Sequence, residues 1–424
     1  MPFLINQLRR LAMLGAMVGA IAILALSALP AQAQQPIKIG FGMAQTGPLA
    51  GAGKSALLAM KIWEEDVNAK GGLLGRPVKL VYYDDQSNPS SVPGIYSKLL
   101  DVDKVDLIVG GYGTNMLAPA MPLAMQRNKV FVGIFGTAVN SEFKYPRYFS
   151  MISTGPDPKT ELTRQFFESA TGQTPKPATV AIIAADAEFA RNAADGARAN
   201  AAKAGMKVVF DRTYPPTTTD FTPIIRSVQA TNPDIVVLCS YPLDSAGIVR
   251  SVNELGFKPK MIGGAMVGPQ TTAFKTQLGS LLNGFVYFDF WFPAKTMNFP
   301  GANELISKYQ SRAQAEGVDP LGYGFAPWGY AYLQVLAQAI EGTKGLDDAK
   351  LADYMHASTF KTIVGDVKFG SDGEWTKARV LQVQFQGIRG NDIQQFRDVS
   401  TMQIILPGEY KTGDLIYPFE KAKQ

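Results

Sequence analysis

The chain has 424 residues, enough for two or three domains with ample buried core, so a short disulfide-stapled scaffold is excluded. Hydrophobic residues make up 46% and charged residues 18%, a globular rather than disordered balance, and the 41 glycines and 27 prolines are too dispersed for a collagen or low-complexity chain. The net charge of +5 is spread without a Lys/Arg block, which leaves no nucleic-acid footprint; a single cysteine, Cys239, and a single histidine, His356, exclude an internal disulfide and a multi-histidine zinc site.

In chain order, the first segment reads as an address. Arg9 and Arg10 precede an apolar run from Leu11 to Leu29, then Pro30 and Ala31-Gln32-Ala33. This is the layout of a secretory signal, residues 1–33, cleaved before Gln34. The run approaches the ~20 residues that span a bilayer, so an uncleaved anchor is the competing reading, and the Ala-x-Ala close favours removal. The paired arginines leave Sec and twin-arginine export both open. No cysteine follows the run, which argues against a lipid anchor, and no later segment is apolar over ~18 residues. The mature protein is expected to be soluble in a bacterial periplasm.

Short apolar runs then alternate with helical patterns. The predicted strands are Ile37–Ala44, Val78–Asp84, Val105–Gly110, Val130–Phe135, Thr179–Ala184, Lys207–Arg212, Asp234–Ser240, Lys260–Gly263 and Phe285–Phe290, with Val380–Phe385 and Met402–Leu406 near the end. Ala56, Met60, Trp63 and Val67 make an apolar helical stripe ended by Gly71-Gly72, and Trp328, Tyr332, Leu336 and Ala339 make another; both read as core. A β-α-β rhythm of this kind predicts an α/β protein with parallel sheets covered on both faces, in two series over about 36–152 and 153–286, followed by a helix-rich stretch over 287–362.

Several motifs fail as chemistry. Gly51-Ala-Gly53-Lys54-Ser55 follows a strand and opens a helix, yet the glycine a phosphate loop needs five places earlier is Pro48; the stretch reads as a turn with a solvated lysine. Asp84-Asp85 reads as a turn after a strand, His356 as part of an exposed helix, and Cys239 as buried and inert. No catalytic set, metal or cofactor is expected.

The stretch Asn68-Ala-Lys70-Gly-Gly72-Leu-Leu-Gly75-Arg-Pro-Val-Lys-Leu-Val-Tyr-Tyr-Asp84-Asp85 resembles the periplasmic solute-binding proteins of the branched-chain amino acid (Leu/Ile/Val) family, which serve ABC importers. The likeness continues through Ile39–Pro48, Val105–Gly111 and Thr179–Asp186 and, more weakly, over nearly all of the mature chain. It implies a type I periplasmic binding protein: two Rossmann-like lobes with parallel sheets, joined by three hinge strands. Lobe 1 would be 36–152 plus 288–361, and lobe 2 would be 153–287 plus 362–424, with crossings near Met151–Thr154, Val286–Asp289 and Thr362–Asp366. The implied partners are a small-molecule ligand and the permease and ATPase complex of the inner membrane, with the protein acting as a monomer and not as an enzyme.

Ligands of open α/β sheets sit beyond the carboxyl ends of strands, where helix N-termini favour anions. Two turns fit, Gly110-Gly-Tyr112-Gly113-Thr114-Asn115 and Gly136-Thr137-Ala138. The resemblance implies that Thr114, Thr137 and the Ala138 amide hold a ligand carboxylate; the competing reading has both threonines merely capping helices. The same resemblance has Phe189 and Tyr241 closing over the ligand from the other lobe, and Tyr112, Gly113, Phe135 and Met266 completing an apolar and aromatic pocket. The family's amino-acid binders place a carboxylate after the next strand to pair the ligand ammonium. Here Gly263-Gly264-Ala265-Met266 occupies that place, and Val139 stands where those binders have a second threonine. An ammonium buried without its partner costs on the order of several kcal/mol, so the expected solute is an organic acid, aromatic acids included. A branched-chain amino acid, an amide or urea-type solute, and a sensing role for a receptor remain alternatives. The family's cysteine pair is also missing, with Ser87 and Gly113 near the matching places, so hydrogen bonds must hold that loop.

Overall fold

Five strands follow one another with a helix between most of them: β1 (Ile37–Met43), β2 (Val78–Asp84), β3 (Leu107–Tyr112), β4 (Phe131–Ile134) and β5 (Tyr148–Met151). They pair in parallel in the order β2-β1-β3-β4-β5. Strands β3 and β4 are buried at every position, as expected for strands covered on both faces. Parallel neighbours need crossovers, which the helices Ala50–Ala69, Val92–Asp101 and Thr114–Gln126 supply. The first of these buries Ala56, Met60 and Trp63, and beyond it a Cβ at Gly72 (φ +81°) would sit 1.9 Å from the Arg76 carbonyl oxygen.

This computed structural model describes residues 34–423, so the predicted signal, residues 1–33, lies outside the described residues. Among the described residues no helix is long and apolar enough to cross a membrane.

A second series repeats the first. Strands β6 (Thr179–Ala185), β7 (Lys207–Tyr214), β8 (Ile235–Ser240), β9 (Met261–Met266) and β10 (Val286–Asp289) pair in parallel in the order β7-β6-β8-β9-β10. To β10 is added antiparallel β13 (Leu381–Phe385), and to β13 antiparallel β14 (Met402–Leu406). Between them, β11 (Thr359–Thr362) and β12 (Gly365–Lys368) make a hairpin. After β10 the helices Ala302–Glu316 and Ala326–Thr343 pack against Ala50–Ala69, over the first sheet, before the chain returns to the second. Everything from Ile37 onward forms one compact unit. The fold is that of a type I periplasmic binding protein, α/β with two parallel-sheet systems.

Several expectations change. Gly51–Ser55 is the first turn of a helix and not a loop: Gly53 lies against the Ala44 carbonyl, Ser55 accepts a hydrogen bond from Tyr309 (2.8 Å), and the Lys54 ammonium donates to the Gly317 carbonyl (3.1 Å). Strand β9 does not stop at Gly263. Its two glycines have positive φ, and at Gly263 the backbone of β10 approaches so closely that an added Cβ would lie 1.7 Å from the Val286 carbonyl oxygen. His356 is on a helix but is not exposed: its ring contacts Phe149 at 4.7 Å and its two nitrogens lie 2.9 Å and 2.8 Å from the backbone carbonyl oxygens of Gly370 and Pro146. Cys239 is fully buried in β8, where desolvation pushes its thiol up to about 12 and leaves it unreactive.

Candidate functional site

The order β2-β1-β3-β4-β5 reverses direction between β1 and β3, and the second sheet reverses between β6 and β8. Loops at such switch points leave a crevice at the carboxyl ends of the strands. Here the loops after β1 and β3 of one sheet meet those after β6 and β8 of the other, and a small cavity lies between them.

Its wall comprises Leu49, Tyr112, Gly113, Thr114, Asn115, Phe135, Thr137, Ile152, Phe189, Tyr241, Val267, Gln270, Phe288 and Phe290. Seven of the nine residues singled out from sequence therefore come together: Tyr112, Gly113, Thr114, Phe135, Thr137, Phe189 and Tyr241. Ala138 and Met266 are not on the wall. Ala138 is buried at φ +58° in the turn behind Thr137, and Met266 is the fully buried last residue of β9, so the position it was expected to fill falls to Val267. Gln270 and the pair Phe288 and Phe290 were missed, because the first follows a strand read as too short and the others lie far along the chain. Asn115 was visible in its turn but not marked; only its partners on the other side of the cavity reveal its role.

The two threonines do not cap helices. Gly113 (φ +89°) is the N-cap of Thr114–Gln126 and no side chain caps it. The Thr114 hydroxyl accepts from the Thr137 amide at 2.9 Å. Thr137 lines the cavity, and its hydroxyl is fully buried with no hydrogen-bond partner. Phe135, just before it, is held at φ +57°, a conformation that costs a bulky residue on the order of 1–3 kcal/mol and is sustained only where packing imposes it. The packing is visible: the Phe135 ring lies 5.7 Å from Tyr112, 5.6 Å from Phe325 and 5.9 Å from Trp328.

From the facing side come Phe189 and Tyr241, whose rings meet edge to face at 5.7 Å. Asn115 ties the two sides together. Its amide nitrogen is 2.9 Å and its amide oxygen 3.1 Å from the Tyr241 hydroxyl, and the same oxygen accepts from the Phe189 backbone N–H at 3.2 Å. Asn192 adds a bond to the Thr137 carbonyl at 3.1 Å. With these contacts made, the cavity has a volume of about 30 Å³, room for a water molecule or two. It adjoins an outer chamber of about 540 Å³ that shares Leu49, Asn115 and Tyr241 and is further lined by Asp244 and Arg250.

Charge is placed sparingly. No Asp, Glu, Lys or Arg lines the inner cavity. Asp244, in the outer chamber, accepts from the Tyr214 hydroxyl at 2.5 Å, and burial pushes its carboxyl up to about 6. Behind Phe288 and Phe290, Asp289 is buried and pushed up to about 7, again by desolvation. In place of the missing disulfide, Ser87 accepts from the Leu49 amide at 3.1 Å and donates to the Thr46 carbonyl at 2.7 Å, which fixes the loop after β1. Among the described residues no cluster of His, Cys, Asp and Glu is arranged to hold a metal ion.

A family model described as periplasmic binding protein matches residues 36–387. The chain belongs to that family. A Leu/Ile/Val-binding protein homolog of Brucella abortus is 25% identical over 383 residues, covering 87% of this chain and 93% of the relative. Two solved structures share the fold. The branched-chain amino acid transporter substrate binding protein LivJ of Streptococcus pneumoniae, in complex with isoleucine, has a TM-score of 0.71 at 19% identity, covering 88% of this chain and 100% of that one. An ABC transporter solute binding protein of R. palustris in complex with 4-hydroxybenzoate has a TM-score of 0.71 at 20% identity, covering 84% and 95%. The protein is thus a periplasmic binding protein by family, and its likeness to the two solved structures is one of fold.

Proposed function

We propose that the protein captures a small organic acid with an aromatic body in the cavity between its two sheet systems and delivers it to the permease. The observation that carries this reading is the buried, unpartnered hydroxyl of Thr137 in a wall that is rich in aromatic rings and contains no acidic side chain. A carboxylate would accept from Thr137 and from Thr114, whose hydroxyl now substitutes for it by taking the Thr137 amide. Charge-assisted bonds of this type are roughly twice as strong as neutral ones. Tyr112, Phe135, Phe189, Tyr241, Phe288 and Phe290 offer the ring body edge and face contacts.

An α-amino acid fits this wall poorly. Its ammonium would find no carboxylate in the inner cavity, and Asp244 outside is already engaged by Tyr214. The 4-hydroxybenzoate bound by the R. palustris protein of the same fold is in keeping with this reading.

The mechanism follows from the closed geometry. A cavity of about 30 Å³ cannot admit a benzoate-sized solute, so the loops carrying Phe189 and Tyr241 must withdraw from Asn115 before binding and close over the solute afterwards. Ligand contacts made from both sides favour the closed form, which is the form a permease would read; no covalent step is required. Calorimetry against 4-hydroxybenzoate, benzoate, leucine, isoleucine and urea is the test. Saturable heat with an aromatic acid and none with leucine is expected, and tight leucine binding with no response to any acid would overturn the reading.

A further inference from the structure

A second cavity of about 640 Å³ lies where the chain links its two sheet systems, and it shares no lining residue with the first. Its walls are Phe299 and Pro300 after β10, Gln334 of the helix over the first sheet, the β11–β12 hairpin, Trp375 to Arg379, and Glu409 with Tyr410. Arg379 is the unusual member. It is 8% exposed, its backbone exchanges two hydrogen bonds of 2.7 Å with Ser153, and its guanidinium is stacked among three rings, at 5.2 Å from Phe299, 5.3 Å from Trp375 and 6.0 Å from Trp328.

Tyr410 hydrogen-bonds this guanidinium and the Glu409 carboxylate favours its charge from further off, yet among the described residues no salt bridge reaches it and its Nε and Nη2 have no hydrogen-bond partner. The Nη1 end reaches the cavity wall at Gly365, where an added Cβ would come within 2.9 Å of it. The acids of the same cavity are already spent: Asp366 pairs with Lys361 at 2.5 Å and Glu409 with Lys377 at 3.7 Å. Lys368, exposed at the rim, has no ion pair among the described residues, so the cavity carries an excess of two positive charges. Stacking on rings offsets part of the cost of burying a cation, yet it leaves the donors in the guanidinium plane unused. An unpaired buried charge with unused donors is costly and persists in native proteins chiefly where something else supplies the partner.

From this we propose that the linking segments form a second ligand site, in which Arg379 receives the carboxylate of a small organic anion whose apolar body lies against Phe299 and Trp375. A guanidinium donates a charge-assisted bond to a carboxylate through the Nη1 end that reaches the cavity, and ring walls suit a hydrocarbon body better than a strongly hydrated phosphate. The site stands apart from the cleft: Trp328 fills the space between them, 5.9 Å from Phe135 on one side and 5.9 Å from Trp375 on the other. The inference therefore does not depend on which solute the cleft takes.

The four tryptophans make the test direct, because the Trp375 indole N–H, bonded to the Ser150 carbonyl at 2.9 Å, reports on this site and Trp63 serves as an internal reference. Indole ¹H–¹⁵N spectra of the full chain are titrated with benzoate and, separately, inorganic phosphate. Trp375 should shift saturably with benzoate while Trp63 stays, in the parent protein and equally in Thr137→Val. Arg379→Met should weaken the response about tenfold or more, the loss of a charge-assisted bond, and Arg379→Lys should restore part of it. Thr376→Trp, at an exposed position on the rim, keeps the guanidinium and should block access even if Arg379→Met proves unstable. A Trp375 resonance unmoved by benzoate, one that moves equally in Arg379→Met and Thr376→Trp, or one that answers phosphate alone would overturn the proposal.

Discussion

Replacing Thr137 by valine keeps the shape of the side chain and deletes the hydroxyl, and the structure makes the consequence two-sided. In the ligand-free closed form that hydroxyl is fully buried with no partner, a condition that costs roughly 1–3 kcal/mol. Room for a water in the adjoining 30 Å³ places the value toward the lower end. Thr137→Val should therefore stabilise the ligand-free protein by about 1 kcal/mol, read as an upward shift of the urea midpoint at constant slope. The backbone bond from the Thr137 amide to Thr114 is retained, so the turn has no reason to move. In the presence of an aromatic acid the sign reverses, since a bond to a charged acceptor contributes about 1.5–3 kcal/mol and its loss should raise the dissociation constant roughly 10- to 150-fold. Urea denaturation and calorimetry on the same preparations measure both arms. A valine variant that is less stable without ligand, or one that binds the acid as well as the parent, would refute the assignment of this hydroxyl to the ligand.

Two further outcomes follow from other buried groups. Glu374 is 3% exposed with no hydrogen-bond partner on either carboxylate oxygen, and desolvation, reinforced by Asp372 and only partly offset by Ser150 beside it, pushes its carboxyl up to about 8 from an ordinary 4.5. Between those values the folded protein keeps a proton that the unfolded chain has released, so stability should fall as pH rises from about 4.5 to about 8. Glu374→Gln should remove that slope and add up to about 3 kcal/mol at neutral pH; equal pH profiles for parent and variant would contradict it. Tyr241→Phe deletes the hydroxyl that Asn115 holds across the cavity, and a loss of about 1 kcal/mol should move the closure equilibrium roughly fivefold toward the open form. Small-angle scattering of the ligand-free variant should then give a larger radius of gyration than the parent, and superimposable profiles would sink the idea that this contact closes the cleft.

The chain itself determined much of this protein. Its strand-and-helix alternation specified parallel sheets, because a run such as Ile235-Val-Val-Leu-Cys239 has no polar face to expose and must be covered on both sides. The glycine turns after β3 and β4 announced where backbone donors would gather, and the absence of an acid near the end of β9 already disfavoured an ammonium. The four-residue strand β5 escaped notice because so short a run carries no period of its own. Gly263 was misread as the end of a strand, since what requires a glycine there is the backbone of β10, more than twenty residues further on.

What only the tertiary structure decided depends on which side chains meet. Asn115 closing on Tyr241, Phe288 and Phe290 joining the cavity wall, and Arg379 lying among Phe299, Trp328 and Trp375 all pair residues far apart in the chain. Local pattern reports whether a position is apolar and on which face it lies. Whether a buried hydroxyl or guanidinium has found a partner depends on chain segments that pattern does not connect, and at Thr137 and Arg379 that missing partner carries the functional argument.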